Sequence, residues 1–288
     1  MGPAYFLAIG SAVLYGAADF TGGVATRRAS TTAVVVLSQS CGLVLIALLL
    51  PLLPHAEPSR ADLLWGAAAG LTGGIGVALL YHALAIGSMT VVAPTTAVCA
   101  VTIPAGVSIL LGERPAPLAV AGILLGIASI VLVSRQPVDP AASRTEPSRF
   151  LPRGVGIALI SGVAIGLFLL TFAQTRPQAG MWPLLAARVV SVALFAVIVL
   201  VRRGSLRMPA RVAGLSLAGG AVDMLANALY LVAARLGPLS VVVTLSSLYP
   251  ASTVLLARAI LGERLGRWQI LGVGCALTAI VLIIGGSR

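Results

Sequence analysis

The chain contains very little charge and no lysine. Charged residues make up 9% of its 288 residues, hydrophobic residues make up 59%, and all 19 basic residues are arginine. A soluble domain carries about 25% charged residues. This chain lacks the polar side chains that would cover a soluble surface, so its composition excludes a soluble globular protein.

Groups that support catalysis are also scarce. Cys41, Cys99 and Cys275 each lie inside an apolar segment, far apart and without neighbouring ligands. This arrangement excludes a disulfide framework and a metal cluster. The sequence contains no phosphate-binding glycine loop, no metal-ligand cluster and no nucleophile elbow. We therefore expect no enzymatic activity, no cofactor and no use of ATP.

The net charge of +11 does not indicate a nucleic-acid partner. The arginines form no face or stripe, and most of them lie in short loops between apolar segments, where they act as topology signals. Counting loop arginines assigns twelve to the side that holds the central linker and five to the other. This asymmetry predicts a cytoplasmic linker and two external termini.

Apolar segments of membrane-spanning length dominate the chain. About 20 apolar residues cross a bilayer, and the first segment is interpreted as a span because no basic n-region or A-x-A site accompanies it. Ten such segments are predicted: 3–24, 31–53, 62–86, 89–111, 116–134, 154–174, 181–201, 212–236, 238–261 and 266–285.

An internal duplication organises these segments. Leu111-Gly112-Glu113-Arg114 recurs 150 residues later as Leu261-Gly262-Glu263-Arg264. A fixed offset of this size indicates two related halves, here 1–134 and 154–288, joined by a Pro-, Ser- and Arg-rich linker at 135–153. Because each half has an odd number of spans, the halves must be inverted. We expect an all-α integral membrane fold of ten transmembrane helices, arranged as two inverted five-helix repeats around a central cavity, with 4–134 superposing on 154–284.

Small residues and prolines mark the spans further. Gly66, Gly70 and Gly74 form a four-residue-spaced face, repeated more briefly at Gly122/Gly126 and Gly162/Gly166. Such faces serve either intramolecular packing, which we favour here, or dimerisation. Pro94 and Pro104 in the fourth span, and Pro250 after Ser246-Ser247 in the ninth, predict interrupted helices in matching places, which are either transport-site breaks or passive kinks.

Ionisable residues inside the spans are the strongest functional signal, because charge in a bilayer usually faces a cavity or a partner. Asp223, Asn227 and Tyr230 share one face of the eighth span. Arg188 lies in the seventh span at a depth where it can meet Asp223. The two residues form either a structural ion pair or a substrate-binding pair.

Asp19, near the end of the first span, has two interpretations. It binds a cation, gates the pathway or carries a proton, or it pairs at the interface with Arg27 or Arg28. His82 is interpreted as either a packing residue or a transport residue. The predicted substrate-binding set is Tyr15, Asp19, Gln39, Tyr81, His82, Thr95, Arg188, Asp223, Asn227, Tyr230, Ser246 and Ser247.

Glu113 and Glu263 each begin the turn into the following span. We expect each carboxylate to cap the N-terminus of that following helix, while the adjacent arginine meets the preceding C-terminus. A direct substrate contact is the alternative.

The duplicated turn, the Ala-Leu-X-X-Gly run at 83–87 with its counterpart at 233–237, and Arg188 within Ala186-Ala187-Arg188 resemble the EamA-type members of the drug/metabolite transporter superfamily. The first half departs from the pattern, with Ser38-Gln39-Ser40 at the place equivalent to Arg188. The resemblance covers nearly the whole chain.

The resemblance implies an inverted-repeat carrier whose cavity is lined by the first four helices of each half. It implies alternating-access transport of small metabolites, amino acids or related polar or amphipathic compounds, often as export. It also implies cytoplasmic termini, in conflict with the arginine count. A lipid-linked carrier flippase of the same fold and a non-transporting membrane scaffold are the alternatives.

The expected partners are a small-molecule substrate and the lipid bilayer, with protons as the coupling ion if transport is coupled, and no nucleic acid. We expect a monomer or a weak homodimer that crosses the cell membrane several times, in a bacterium the inner membrane.

Overall fold

The computed structural model describes residues 3–110, 117–134, 152–236, 242, 245–246 and 248–285. Within these ranges the chain forms ten α-helices of at least 13 residues. They are α1 Pro3–Thr26, α2 Thr31–Leu49, α3 Arg60–Ile86, α4 Met89–Leu110, α5 Pro117–Ser134, α6 Val155–Ala173, α7 Trp182–Val201, α8 Ala210–Leu236, α9 Tyr249–Leu261 and α10 Arg267–Gly285.

Local sequence explains several helix ends. The Ser30 hydroxyl caps α2 by accepting from the Ala33 N–H, and Ser59 with Asp62 forms a reciprocal capping box on α3. Gly262 ends α9 in a left-handed conformation (φ 66°) that an L side chain rarely adopts. The first N–H groups and the last C=O groups of a helix have no partner within the helix, and these caps supply hydrogen bonds to some of them.

Six of these helices are long and apolar enough to cross a membrane: α1, α2 together with its 3₁₀ extension to Leu52, α3, α6, α7 and α8. Shorter apolar helical stretches lie at Met89–Ala100, Tyr249–Leu261 and Ile270–Leu282. Large apolar side chains cover the outside, including Leu64 at 70% exposure and Leu200 at 74%. The predicted all-helical, multi-pass membrane class is therefore confirmed.

Contacts between the halves follow a reciprocal pattern. α1 packs most extensively on α8, and α3 packs on α6 and α7, so the first and third helices of one half meet the third and first helices of the other. Likewise α4 packs on α6 as α9 packs on α1. Corresponding helices of the two halves therefore exchange partners across the interface between the halves.

Individual contacts give the directions of the helices. On α1 and α8, Gly10 lies beside Leu229 whereas Gly219 lies beside Thr21, so these two helices are antiparallel. On α3 and α7, Gly66 and Gly70 lie against Pro183 and Ala187, so this pair is parallel.

The glycine face of α3 packs within the chain. A β-carbon on Gly70 would lie 2.2 Å from the Ala187 carbonyl oxygen, and one on Gly66 would lie 2.4 Å from that of Pro183. Gly162 and Gly166 pack similarly on α4. The packing interpretation is confirmed for these faces, since backbones approach this closely only where side chains are absent.

The expected interruptions differ between the halves. α4 continues from Met89 to Leu110 through Pro94, which contradicts a break in the fourth span but leaves the alternative of a passive kink. In the ninth span Pro250 occupies the first turn of α9 and begins the helix, because its fixed φ suits that turn and the missing N–H is unpaired there in any case. The linker residues 135–151, Glu113 and Ser247 lie outside the described residues.

Candidate functional site

Polar side chains from both halves meet inside the bundle. Arg188 of α7 donates hydrogen bonds to the Oε1 atom of Gln39 on α2 and to the Oδ2 atom of Asp223 on α8. Asn227 Nδ2 lies 3.4 Å from the same Asp223 oxygen and donates to the Asp223 backbone carbonyl at 2.7 Å. We call Gln39, Arg188, Asp223 and Asn227 the central polar cluster.

The central polar cluster is largely buried, but part of the Asp223 side chain remains accessible. Arg188 is 8% exposed and Gln39 is 3% exposed, while the Asp223 side chain keeps 20% of its surface accessible. A buried guanidinium is tolerated only with charge compensation, which Asp223 supplies. Arg188 Nε is buried without a hydrogen-bond partner in the described part of the chain, so the guanidinium keeps an unused donor.

Close backbone contacts explain how Arg188 reaches its partners. The glycine face of α3 holds α7 in register, and Gly220 lets α8 approach α2 at the Ser38 carbonyl. Beside them Gly42 leaves room for the guanidinium, since a β-carbon there would lie 3.5 Å from Arg188 Nε. Ser38 lies 150 residues before Arg188, at the equivalent position of the first repeat, so the first half carries a small hydroxyl in place of the arginine.

A second polar group surrounds Asp19 on α1. A β-carbon on Gly22, one turn beyond Asp19, would lie 2.2 Å from the Tyr81 ring, and one on Gly16, one turn before it, would lie 2.5 Å from the Tyr249 carbonyl oxygen. The rings of Tyr15 and Tyr249 meet edge to face at 6.4 Å. α1 thus places Asp19 between aromatic residues of α3 and α9.

Asp19 also lies within electrostatic range of the central polar cluster. Its carboxylate interacts electrostatically with Asp223 and with the phenols of Tyr15, Tyr81 and Tyr249. The Asp19 side chain is partly buried, and part of its surface remains accessible. Of these residues Tyr249 was missed at the sequence level, although it directly precedes Pro250.

The other predicted site residues are distributed differently. Tyr230 is half-buried and interacts electrostatically with Tyr15. Thr95 is buried and donates to the Val91 carbonyl of its own helix at 2.8 Å. The Ser246 hydroxyl lies 3.4 Å from the Ala8 carbonyl oxygen on α1.

His82 lies apart from both polar groups. Its side chain is exposed, and Nδ1 is 3.4 Å from the Thr31 hydroxyl at the start of α2. The structure therefore does not bring His82 together with the other predicted substrate-binding residues. One step along α3, Tyr81 faces inwards while His82 faces outwards, because successive helical residues are rotated by about 100°.

The interfacial pairing considered for Asp19 is not formed by Arg27. Arg27 pairs with Glu263 at 3.2 Å and approaches the carbonyl oxygens of Leu84 and Gly87 at the end of α3. Among the described residues, Asp19 forms no ion pair with Arg27 or with Arg28.

Glu263 caps a helix, but not the helix that was expected. Its carboxylate accepts from the backbone N–H groups of Met89 and Thr90 and from the Ser88 hydroxyl, at 2.8 to 3.2 Å. It thus caps α4 in the other half, and the prediction that it caps the following helix is wrong. Burial raises the pKa of Glu263, but the hydrogen bonds from Thr90, Ser88 and Met89 outweigh it, so the pKa lies below its usual value.

We expect Glu263→Gln to lower the free energy of unfolding by about 1–2 kcal/mol at pH 7, the range of a lost cap with its charge. Because the pKa of the folded state is depressed, the carboxylate stabilises fully above the unfolded value near about 4.3 and loses this effect as pH falls through the folded-state pKa. The difference between parent and variant in a thermal unfolding series in detergent should therefore shrink below about pH 4. Glu57→Gln, exposed on the other face, is the control; a difference independent of pH would contradict the capping role.

At the other end of the bundle a second ion pair joins the halves. The Asp62 carboxylate accepts from Arg176 Nη2 at 2.8 Å and from the Arg176 backbone N–H at 2.9 Å. It also accepts from the Ser59 hydroxyl at 2.6 Å. This contact ties the start of α3 to the loop between α6 and α7, just as Glu263 ties α9 to α4 on the opposite face.

The apolar exterior, the ten helices and the enclosed polar groups are those of a multi-pass membrane protein with an internal polar site. The chain belongs to the EamA-like transporter family, whose model matches residues 2–135 and again 152–285. This confirms the resemblance inferred from the duplicated turn, and the family consists of membrane transporters of the drug/metabolite type rather than enzymes.

Comparison with solved structures supports the fold. Twenty-two solved chains are similar, among them one titled only "Crystal structure of protein", with a TM-score of 0.58 and 17% identity over 97% of this chain and 95% of that chain. No curated protein sequence matches significantly.

Proposed function

We propose that the protein is a secondary transporter that moves small metabolites, amino acids or related polar or amphipathic compounds, by alternating access and in the direction of export. The observation that supports this function best is the ion pair of Arg188 and Asp223 with Gln39 of the other half. Polar groups in an apolar bundle are costly unless they are used or paired. A cluster assembled from both halves changes its exposure whenever the halves move.

We propose further that all ten helices cross the membrane and that the halves are inverted. The antiparallel contact of α1 with α8, together with the parallel contact of α3 with α7, supports this arrangement. α1 and α3 point the same way because their C-terminal ends meet, Gly22 beside Tyr81 and Gly23 beside Leu84. With α1 and α3 in one direction, α8 runs opposite to its counterpart α3, as an inverted duplication requires.

Alternating access requires the halves to separate at one face at a time. Glu263 with Arg27 and Ser88 joins them at one face, and Asp62 with Arg176 joins them at the other. In the proposed cycle these two contacts break in turn. Transport is driven by the solute gradient or by protons, with Asp19 as the proton carrier, since Arg188 already compensates Asp223.

We expect a proton gradient to drive transport in the parent and not in Asp19→Asn. Amide replacement keeps the size of the side chain but removes its titration. A growth-protection screen of overexpressing cells against amino acids and toxic analogues identifies the solute, and uptake into proteoliposomes is then measured with and without an imposed pH gradient. A gradient response that persists unchanged in Asp19→Asn would remove Asp19 from this role, and parent vesicles without solute movement would contradict the transporter proposal.

A further inference from the structure

The two aspartates inside the bundle differ in their ionic partners. Asp223 is compensated by Arg188, but in the part of the chain that the structure describes no arginine pairs with Asp19. Arg27, which directly follows the C-terminal end of α1, is paired with Glu263. Of the two carboxyl groups, Asp19 is therefore the one without a counterion among the described residues.

Aromatic residues lie around Asp19. Four of the five tyrosines of the chain lie in this region. Three of them, Tyr15, Tyr81 and Tyr249, interact electrostatically with Asp19. They come from α1, α3 and α9, and the Tyr15 and Tyr249 rings meet at 65°. Rings held at such an angle present faces and edges to one space, and their faces attract cations.

We propose that a protonated amine of the transported compound binds at Asp19, among the rings of Tyr15, Tyr81 and Tyr249. This inference rests on the proposed transport function and specifies which part of the solute the site recognises. The carboxylate supplies the charge, and the phenol rings supply cation–π contacts and an apolar lining.

The chemistry favours an amine over an anion or a metal ion. Asp223 lies close enough to Asp19 to interact with it, so an anion here would meet two negative groups. Arg188, which could attract an anion, already donates to Gln39 and Asp223. Metal cations require several hard or soft ligands at once, and the described residues contain no group of three or more His, Cys, Asp or Glu that could hold one.

The same carboxylate cannot hold a proton and an amine together, so acid should weaken amine binding. The groups that face Asp19 come from every neighbouring element: Tyr15 from α1, Tyr81 from α3, Asp223 with Arg188 behind it from α8 and α7, and Tyr249 from α9. α2 carries no charged residue. If a proton and an amine exchange at this one site, the movement of one across the membrane would drive the other in the opposite direction.

Binding of matched amides to the purified full chain tests the inference. Leucinamide, phenylalaninamide and glutaminamide are each compared with the N-acetylated form, which differs by the loss of the positive charge. We expect calorimetric titration to show at least about tenfold tighter binding of one or more free amines. Asp19→Asn should remove that preference, and lowering the pH should weaken the amines but not the acetylated compounds.

A second pair of variants separates recognition from misfolding. Tyr249→Leu removes a ring of the proposed site and should weaken amine binding by several-fold, whereas Tyr249→Phe keeps the ring and should retain it. Tyr5→Leu, at a tyrosine outside this group, is the matched control and should bind as the parent does.

The outcomes distinguish this inference from the proposed function. Equal binding of free and acetylated amides, or an unaltered preference in Asp19→Asn, overturns the inference. If no amide binds while the screen finds another transported solute, the inference fails and the transport function stands. If neither binding nor transport of any solute is found, both fail.

Discussion

Replacing Arg188 and Asp223 together is expected to restore stability but not transport. Arg188→Met alone leaves Asp223 uncompensated, which costs up to about 3–5 kcal/mol for a fully buried pair and less here because the Asp223 side chain is 20% exposed. In Arg188→Met/Asp223→Leu no lone charge remains, so thermal stability in detergent should return towards that of the parent. Transport into proteoliposomes should stay reduced by more than about tenfold, because a charged hydrogen bond contributes about 1.5–3 kcal/mol.

Arg258→Met is the control for this pair of measurements. Arg258 is an exposed arginine on α9, so its loss removes the same side chain outside the central polar cluster. Both stability and transport should then remain close to those of the parent. A double variant that transports as fast as the parent would show that the ion pair is purely structural, as in a membrane scaffold.

Gly220→Ala is expected to destabilise the bundle, whereas Gly214→Ala on the same helix is not. A β-carbon at Gly220 would lie 2.2 Å from the Ser38 backbone carbonyl oxygen, and backbone cannot rotate away as a side chain can. Overpacking of this kind costs about 1–3 kcal/mol. At Gly214 a β-carbon would meet nothing within 4 Å, so alanine should be neutral or should stabilise by up to about 1 kcal/mol through helix propensity.

Thermal unfolding of the two variants in detergent measures this difference directly. Gly220→Ala should also impair transport, because moving α8 from α2 separates Asp223 from the side of the cluster that Gln39 provides. Equal stabilities of Gly220→Ala and Gly214→Ala would contradict the close approach of α2 and α8.

Much of the site could be predicted from residue type and spacing. Asp223, Asn227 and Arg188 stand out because charge is expensive in an apolar segment, whatever the fold. Gln39 was included in the predicted set, but nothing in the sequence indicated that it is a partner of Arg188. That contact joins residues on two helices of different halves, and only the packing of α2 against α7 creates it.

Some interpretations failed for the same reason. The carboxylate of Glu263 was expected at the next helix along the chain, yet it caps α4 of the other half. His82 and Tyr81 are neighbours in sequence, but the rotation of α3 exposes one and buries the other. Spacing along a helix predicts which residues share a face, but not which neighbour that face meets.

The sequence by itself determined that this protein lies in a membrane, that it is helical and which family it belongs to. Those properties depend on composition, on the length of the apolar segments and on the duplicated turn, and all three are local or additive along the chain. Only the tertiary structure decided that Arg27 is occupied by Glu263, that Asp19 lies among Tyr15, Tyr81 and Tyr249, and that both halves contribute to one polar cluster. These contacts join residues far apart in the chain, and they depend on how closely glycine-bearing helices approach one another.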